Sequence, residues 1–138
     1  MRVAIIGSGS WATALAKLFL NNCASINWFI RKPDDIAYFQ EYKTNPRYLS
    51  SVEFDTDKVN FFGSLAECVE QSDILVLAVP SAFLHDLVST LGKAQLQGRI
   101  IFSAIKGIVP QHNLIVGEYL NKVYDVPLAN IGVITGPC

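Results

Sequence analysis

The sequence predicts an α/β fold with a doubly wound, mainly parallel sheet of about six strands and helices on both faces. Apolar runs of strand length alternate with amphipathic segments of helical period along the 138-residue chain. Residues 73–79 are apolar throughout after the first, which is typical of a central parallel strand covered on both faces. A glycine turn directly after the first apolar run is the third observation, because such a turn joins strand to helix in sheets of this class.

Length and composition fit a single domain over residues 1–138. Hydrophobic residues make up 51% of the chain and charged residues 17%, which excludes disorder. The net charge of −1 argues against a nucleic-acid or membrane-surface partner, and no apolar run approaches the roughly 18 residues of a membrane span. Because the first strand starts at once, we expect no signal or transit peptide. An odd number of cysteines without metal-ligand spacing predicts reduced thiols in a cytoplasmic protein and no metal site.

The glycine turn begins where the apolar strand over residues 3–6 breaks. Gly7, Gly9 and Ala12 match the G-x-G-x-x-G/A fingerprint of a Rossmann-type dinucleotide-binding turn. Gly7 permits the sharp turn, Gly9 permits backbone to approach a pyrophosphate, and Ala12 permits close packing of helix on strand. The helix that follows, to about residue 22, would direct unpaired amides at the phosphates. A purely structural turn is the alternative; a nucleotide site predicts the strand order 3-2-1-4-5-6.

The other elements follow from apolar periodicity, caps and turn residues. In order, we expect a strand over 25–30, a short helix from Pro33, a loop over 43–58, a strand over 59–62, a helix capped by Ser64, the strand over 73–79, a helix over 81–91 capped by Ser81, a strand over 99–103, a helix over about 113–124 and a strand over 131–135. Ligands of such sheets bind beyond the carboxyl ends of the strands. Five strand ends with unusual residues should therefore meet at one edge: residues 7–11, 31–32, 80–81, 106–107 and 136–137.

The end of the second strand carries basic residues where a dinucleotide site reads the adenosine ribose. An acid there would favour NAD, but this chain has Arg31 and Lys32. A guanidinium at this place can hold a 2′-phosphate in fork geometry, so the pair predicts binding of NADP, with NAD also accepted. A solvated basic pair is the alternative interpretation. Asp34 and Asp35 follow Pro33 and are assigned to the start of a helix rather than to the ribose.

The ends of the fifth and sixth strands are candidates for the substrate side. Lys106 could place its ammonium near the nicotinamide or near an anionic substrate, although a lysine after a strand is often simply exposed. Gly107 beside it permits close approach of the backbone. Gly136 could present its N–H to a substrate oxygen, or form an ordinary Gly-Pro turn.

No catalytic residue is assigned within the chain. His85 lies in a predicted amphipathic helix and His112 in a loop, and neither has a partner acid or cysteine at informative spacing. Both are therefore interpreted as structural. Cys138 would need an activating base to act as a nucleophile, and the sequence indicates none.

Taken together, the motifs resemble those of the NAD(P)-dependent glycerol-3-phosphate dehydrogenases. The segments that carry the resemblance are residues 7–11, Trp28 with Arg31, and residues 45–49, 79–81, 106–108 and 136–138, in the family's order and spacing. Members interconvert dihydroxyacetone phosphate and sn-glycerol 3-phosphate for phospholipid synthesis. Three positions depart from the family's usual residues: Ala12 replaces glycine, Ser50 replaces proline and Cys138 replaces serine.

The resemblance also implies roles for individual residues. Ser10, Trp11, Arg31 and Lys32 would contact the cofactor, NADP or NAD, and Tyr48 and Pro80 would border its adenine and nicotinamide sides. Lys106 would touch both cofactor and substrate, while Gly136 and Cys138 would line the substrate site.

Family members continue into a helical second domain with the proton-donating lysine and the groups that hold the substrate phosphate. This domain is not among the 138 residues, so we expect the chain alone to bind cofactor weakly and to be nearly inactive. Exposed apolar surface at the sheet edge would favour a homo-oligomer. Two alternatives stay open: another NADP-dependent reductase of the hydroxyacid or ketopantoate type, and a stand-alone nucleotide-sensing module.

Overall fold

A computed structural model describes residues 1–134 of the chain. The strands are β1 (Val3–Ile6), β2 (Ile26–Phe29), β3 (Val59–Phe62), β4 (Ile74–Leu77), β5 (Ile100–Ser103), β6 (Ile108–Val109), β7 (Leu114–Ile115) and β8 (Ile131–Val133). The helices are α1 (Ser10–Leu20), α2 (Pro33–Tyr42), α3 (Leu65–Glu70), α4 (Ser81–Val88), α5 (Lys93–Leu96) and α6 (Val116–Tyr124), with 3₁₀ turns at Thr56–Lys58 and Leu128–Asn130.

Six strands form one parallel sheet in the order β3-β2-β1-β4-β5-β8. The predicted fold class is confirmed. The predicted strand order 3-2-1-4-5-6 is confirmed as well, because β8 is the sixth of the strands that the sequence predicts. The order reverses at β1, which pairs with β2 on one side and β4 on the other. A crevice opens at such a reversal, beyond the carboxyl ends of the strands, because the connections on its two sides leave in opposite directions.

Side chains of the central strands alternate between two cores, as the period of a strand requires. Val3 and Ile5 of β1 pack under α1 and α2, together with Trp28, Phe39 and other buried side chains. Ala4 and Ile6 point to the opposite face, which α3, α4 and α6 cover. The helices therefore lie on both faces of the sheet, and the crevice lies between two packed layers.

Two boundaries differ from the sequence expectation. The predicted helix over 113–124 begins only at Val116, because residues 108–115 form an antiparallel hairpin of β6 and β7. Asn113 in this hairpin has a left-handed backbone (φ 53°), which is incompatible with a right-handed helix that begins at this residue. The predicted helix over 81–91 ends at Val88, and the short helix α5 follows it.

Of the two predicted helix caps, the one at Ser64 is confirmed and the one at Ser81 is wrong. Ser64 caps α3 as expected, since its hydroxyl accepts a hydrogen bond from the amide of Glu67 at 3.4 Å. Ser81 is the first residue of α4 rather than its cap, a position that Pro80 takes with an extended backbone. Pro80 therefore lies at the point where β4 gives way to helix. The last predicted strand is observed over Ile131–Val133, and its expected final residue, Thr135, lies outside the described residues.

Candidate dinucleotide-binding site

A cleft of about 810 Å³ lies at the carboxyl edge of the sheet, beside the strand-order reversal. Six of the predicted cofactor residues line it: Gly7, Gly9, Arg31, Lys32, Tyr48 and Pro80. Ser10 and Trp11 lie next to it in the first turn of α1, without being part of its lining. The position of the cleft is the one expected for a ligand in an open parallel sheet.

Gly7 forms the floor of the cleft and needs to be glycine for two reasons. Its φ is +126°, a conformation that L side chains rarely adopt. A Cβ there would lie 2.9 Å from the carbonyl carbon of Ala78, and closer still to its oxygen. The amide of Gly7 donates to Phe29 at 3.3 Å, and the amide of Ala78 donates to Ile6 at 2.9 Å. The turn is therefore held between the ends of β2 and β4.

Three successive carbonyls of the turn each accept a hydrogen bond from a side chain. The pairs are Trp28 Nε1 to Gly7 at 2.6 Å, Asn45 Nδ2 to Ser8 at 3.1 Å, and Thr13 Oγ1 to Gly9 at 2.7 Å. Within residues 1–134, the amides of residues 8–10 donate to no protein acceptor. The turn thus has its acceptors satisfied and its donors available, which is the arrangement an anion requires.

Gly9 differs from Gly7 in its surroundings. Its φ of −74° and ψ of −173° are open to any residue, and a Cβ built on it would meet nothing within 4 Å. Because Gly9 lines the cleft and precedes α1, the space above it is available to a ligand rather than to protein. A pyrophosphate fits this place, since its oxygens could approach the backbone without meeting a side chain.

Charged side chains gather where the cleft passes the end of β2. Arg31 and Lys32 are exposed there, as the sequence predicts. Arg47 also lines this end, and its Nη2 lies 3.2 Å from Oδ1 of Asp35. Sequence reasoning explained Asp35 as a residue of the helix start, which is where it lies, and missed that its carboxylate also faces the cleft.

Asn45 fixes the loop that carries Arg47 and Tyr48. Its Oδ1 accepts from the amides of Arg47 at 2.8 Å and Tyr48 at 3.1 Å, while its Nδ2 donates to the Ser8 carbonyl and, at 2.9 Å, to Thr13 Oγ1. The side chain is buried. Both donors and both lone pairs of the amide are used, so the loop is attached directly to the glycine turn.

The helix α4 also borders the cleft. Pro80 directly before α4, and Phe83 and other residues within it, line the cleft. Lys106 is exposed after β5 and does not line the cleft itself, but its neighbour Gly107 (φ +87°) places a hypothetical Cβ 3.8 Å from Ser81 Oγ. The Lys106 segment therefore lies beside the start of α4. Gly136 and Cys138, the other predicted substrate residues, lie outside the described residues.

The two histidines lie together, a proximity that no spacing in the sequence predicts. His85 Nδ1 is 3.0 Å from the Tyr119 hydroxyl, and the rings of His85 and His112 have centroids 5.1 Å apart. Burial raises the pKa of Tyr119, so its hydroxyl stays protonated. None of the three lines the cleft, and packing between α4, α6 and the hairpin accounts for them.

Residues 1–134 hold no group of three or more His, Cys, Asp and Glu side chains arranged for a metal ion. Over the same residues, no helix combines the length and the apolar character that crossing a bilayer would need.

The model of the family described as NAD-dependent glycerol-3-phosphate dehydrogenase N-terminus matches residues 2–138. The chain belongs to this family. A relative from Chlorobium limicola, named glycerol-3-phosphate dehydrogenase [NAD(P)+], is 32% identical over 138 residues, and one of the same name from Ectopseudomonas mendocina is 31% identical over 135 residues. The matches cover 99% and 98% of this chain, but 41% and 38% of the relatives, so the chain spans about two fifths of their length.

Solved structures agree with the family assignment. Glycerol-3-phosphate dehydrogenase from Coxiella burnetii superposes with a TM-score of 0.82 at 25% identity, over 99% of this chain and 41% of that one. The enzyme from Saccharomyces cerevisiae shares the fold with a TM-score of 0.74 at 20% identity, over 99% and 40%. The resemblance drawn from the motifs is therefore confirmed, and the cofactor class of the family is NAD(P).

Proposed function

We propose that this chain is the dinucleotide-binding part of an enzyme that reduces dihydroxyacetone phosphate to sn-glycerol 3-phosphate with NADPH or NADH, for phospholipid synthesis. Family membership and the names of the relatives support the reaction. The observation that carries the proposal is the glycine turn, whose three carbonyls accept side-chain hydrogen bonds and which leaves open space above Gly9.

Residues in and beside the cleft would contact three parts of the proposed cofactor. Gly7, Gly9, Ser10 and Trp11 would hold the pyrophosphate through backbone amides at the start of α1. Arg31, Lys32 and Tyr48 would hold the adenosine end, where the two cations suit a 2′-phosphate. Pro80 and Lys106 would border the nicotinamide, which supplies a hydride when bound.

The substrate side is proposed from the resemblance alone. Lys106, Gly136 and Cys138 would line it, and the Lys106 ammonium would attract the phosphorylated substrate. A helical substrate domain would supply the proton donor and the phosphate-binding groups. Such an enzyme would be cytoplasmic, a location with which the free thiols of Cys23 and Cys68 agree. Self-association through the sheet edge stays a prediction.

The test replaces Gly9 with alanine. The backbone of Gly9 accepts alanine and no protein atom meets the new methyl group. Alanine is a poorer N-cap than glycine but restricts the unfolded chain, and because these two effects oppose each other the free energy of unfolding should change by less than about 1 kcal/mol. Affinity for NADPH and for NADH should fall at least about tenfold, because the methyl occupies the space proposed for the pyrophosphate. Titrations followed by the fluorescence of Trp11 and Trp28 measure both affinities. The indole of Trp28 reports directly, since it is bonded to Gly7.

Gly92→Ala is the matched control. Gly92 also precedes a helix with an extended backbone, at φ −86° and ψ 161°, but it is not part of the cleft. This variant should leave binding unchanged. The proposal is wrong if Gly9→Ala binds both dinucleotides as tightly as the unaltered chain, or if the unaltered chain binds neither.

A further inference from the structure

One ion pair at the adenosine end of the cleft has no role in the proposed function as described so far. Arg47 donates through Nη2 to Oδ1 of Asp35 at 3.2 Å, and the pair joins the loop after α2 to the first turn of that helix. The two partners differ in exposure: the side chain of Arg47 is 47% exposed and that of Asp35 is 15% exposed. The arginine is therefore the partner that a ligand can reach.

A hydrogen bond to its main-chain amide fixes the position of Arg47. Its amide is bonded to Asn45 Oδ1 at 2.8 Å, and Asn45 is itself fixed to the glycine turn. Asp35 lies one helical turn beyond Lys32, whose carbonyl accepts the Asp35 amide at 3.0 Å. The Arg47 guanidinium therefore lies within one helical turn of the basic pair at the end of β2.

We propose that Arg47 selects the cofactor, by binding the 2′-phosphate of NADP together with Arg31, and that Asp35 opposes this by competing for the same guanidinium. This inference rests on the proposed function, because it assigns a role within the proposed dinucleotide site. It concerns two residues to which neither the fingerprint nor the family resemblance gives a role.

The charge balance at this end of the cleft supports a phosphate ligand. Three cations, Arg31, Lys32 and Arg47, line the cleft together with two carboxylates, Asp35 on α2 and Asp86 on α4. The described lining keeps an excess of positive charge, which suits a phosphate dianion better than the two neutral hydroxyls of an NAD ribose.

The geometry of the ion pair supports exchange of partners. Only one nitrogen of Arg47 contacts Asp35 among the described residues, so the guanidinium keeps the donors that bidentate binding of a phosphate needs. A single-contact pair with a half-exposed arginine is weak. A doubly charged phosphate can therefore take the guanidinium from a singly charged carboxylate.

The test compares Arg47→Met and Asp35→Asn with the unaltered chain, each titrated with NADPH and with NADH by tryptophan fluorescence. Arg47→Met should weaken NADPH binding about tenfold and NADH binding less than about twofold, because only NADPH carries the 2′-phosphate. Asp35→Asn keeps an oxygen for Arg47 and removes the negative charge, so NADPH affinity should rise about threefold while NADH affinity stays constant. In competition experiments the affinity for 2′-AMP should change in each variant as the affinity for NADPH does, and the affinity for 5′-AMP should change as that for NADH does.

Lys93→Met is the matched control, because Lys93 forms a comparable ion pair with Asp125 at 2.9 Å outside the cleft. It should change neither affinity. Equal losses for NADPH and NADH in Arg47→Met, or no loss, would overturn the role of Arg47. Unchanged or weaker NADPH binding in Asp35→Asn would overturn the competition. These outcomes differ from failure of the proposed function, in which the unaltered chain binds neither dinucleotide and this inference falls with it.

Discussion

Replacing Asn45 with alanine should release the loop that carries Arg47 and Tyr48 from the glycine turn. Asn45 makes four hydrogen bonds: two donated by Nδ2, to Ser8 and Thr13, and two accepted by Oδ1, from Arg47 and Tyr48. Alanine removes all four and adds no new contact. The loop then keeps its chain connection but loses its only side-chain bonds to the turn among the described residues.

The size of the effect follows from where the freed groups lie. A hydrogen bond contributes about 1 kcal/mol net, so four give an upper value of about 4 kcal/mol. The amides of Arg47 and Tyr48 belong to exposed residues and regain water, whereas the Ser8 carbonyl and the buried Thr13 hydroxyl do so less easily. The Thr13 hydroxyl still donates to Gly9. We therefore expect the free energy of unfolding to fall by about 2–3 kcal/mol, with the loss of affinity for both dinucleotides near tenfold.

Urea unfolding and cofactor titration of the same variants test this reasoning. Thr13→Val removes the partner hydroxyl, and the double variant with Asn45→Ala should show a coupling of about 1 kcal/mol. Thr13→Ser keeps the hydroxyl and should show none. Asn121→Ala is a control for losing an asparagine away from the cleft, since among residues 1–134 its Nδ2 donates only to Val126, at 3.0 Å. If Asn45→Ala unfolds within about 0.5 kcal/mol of the unaltered chain and binds normally, the loop is not held in this way.

Two further predictions concern the floor of the cleft and the buried thiol. Gly7→Ala should lower the free energy of unfolding by about 3 kcal/mol or more in a urea titration, because the new Cβ meets the Ala78 carbonyl in a left-handed backbone; a loss below about 1 kcal/mol would contradict the observed turn. Burial raises the pKa of Cys68 from 9.0 to about 12, which favours the neutral thiol in the fold. The neutral thiol stabilises the fold fully below pH 9, and this contribution is lost as the pH rises toward 12, because the thiol of the unfolded chain ionises first. Cys68→Ala should therefore reduce the fall in the free energy of unfolding that is measured between pH 8 and pH 10. In the folded chain at pH 8 a disulfide reagent should modify the half-buried Cys23 and spare Cys68; rapid modification of Cys68 would refute its burial.

The parts of the fold that the sequence predicted are those with a local physical signal. The apolar run over 73–79 and the fingerprint at Gly7 were enough to place β1 at the strand reversal with β4 beside it. The hairpin at residues 108–115 was missed because its strands have two residues each, too few for a period of two to show. Apolar residues of such short strands look the same as the first turn of the helix that follows them.

The contacts that shape the candidate site depend on residues far apart in the chain. Trp28 reaches Gly7 across 21 positions and Asn45 reaches Ser8 across 37, and no spacing rule predicts either bond. For Asn45 a partial signal exists, because asparagine before proline favours a turn in which its side chain bonds amides two residues on. Asp35 shows the opposite case: its place at a helix start explained it completely, and so concealed its contact with Arg47.

The hydrogen bonds beneath the glycine turn also bear on how a ligand would bind. Side chains from β2, α1 and the loop after α2 each hold one carbonyl of the turn, so the adjacent amides keep their direction without a ligand. A dinucleotide then meets donors that need no reordering, which raises affinity without adding a contact. Because Asn45 also bonds the amides of Arg47 and Tyr48, a single side chain joins the glycine turn to the loop that carries the proposed adenosine contacts. A change that loosens the loop should therefore weaken NADPH and NADH together, whereas loss of the Arg47 charge should weaken NADPH alone.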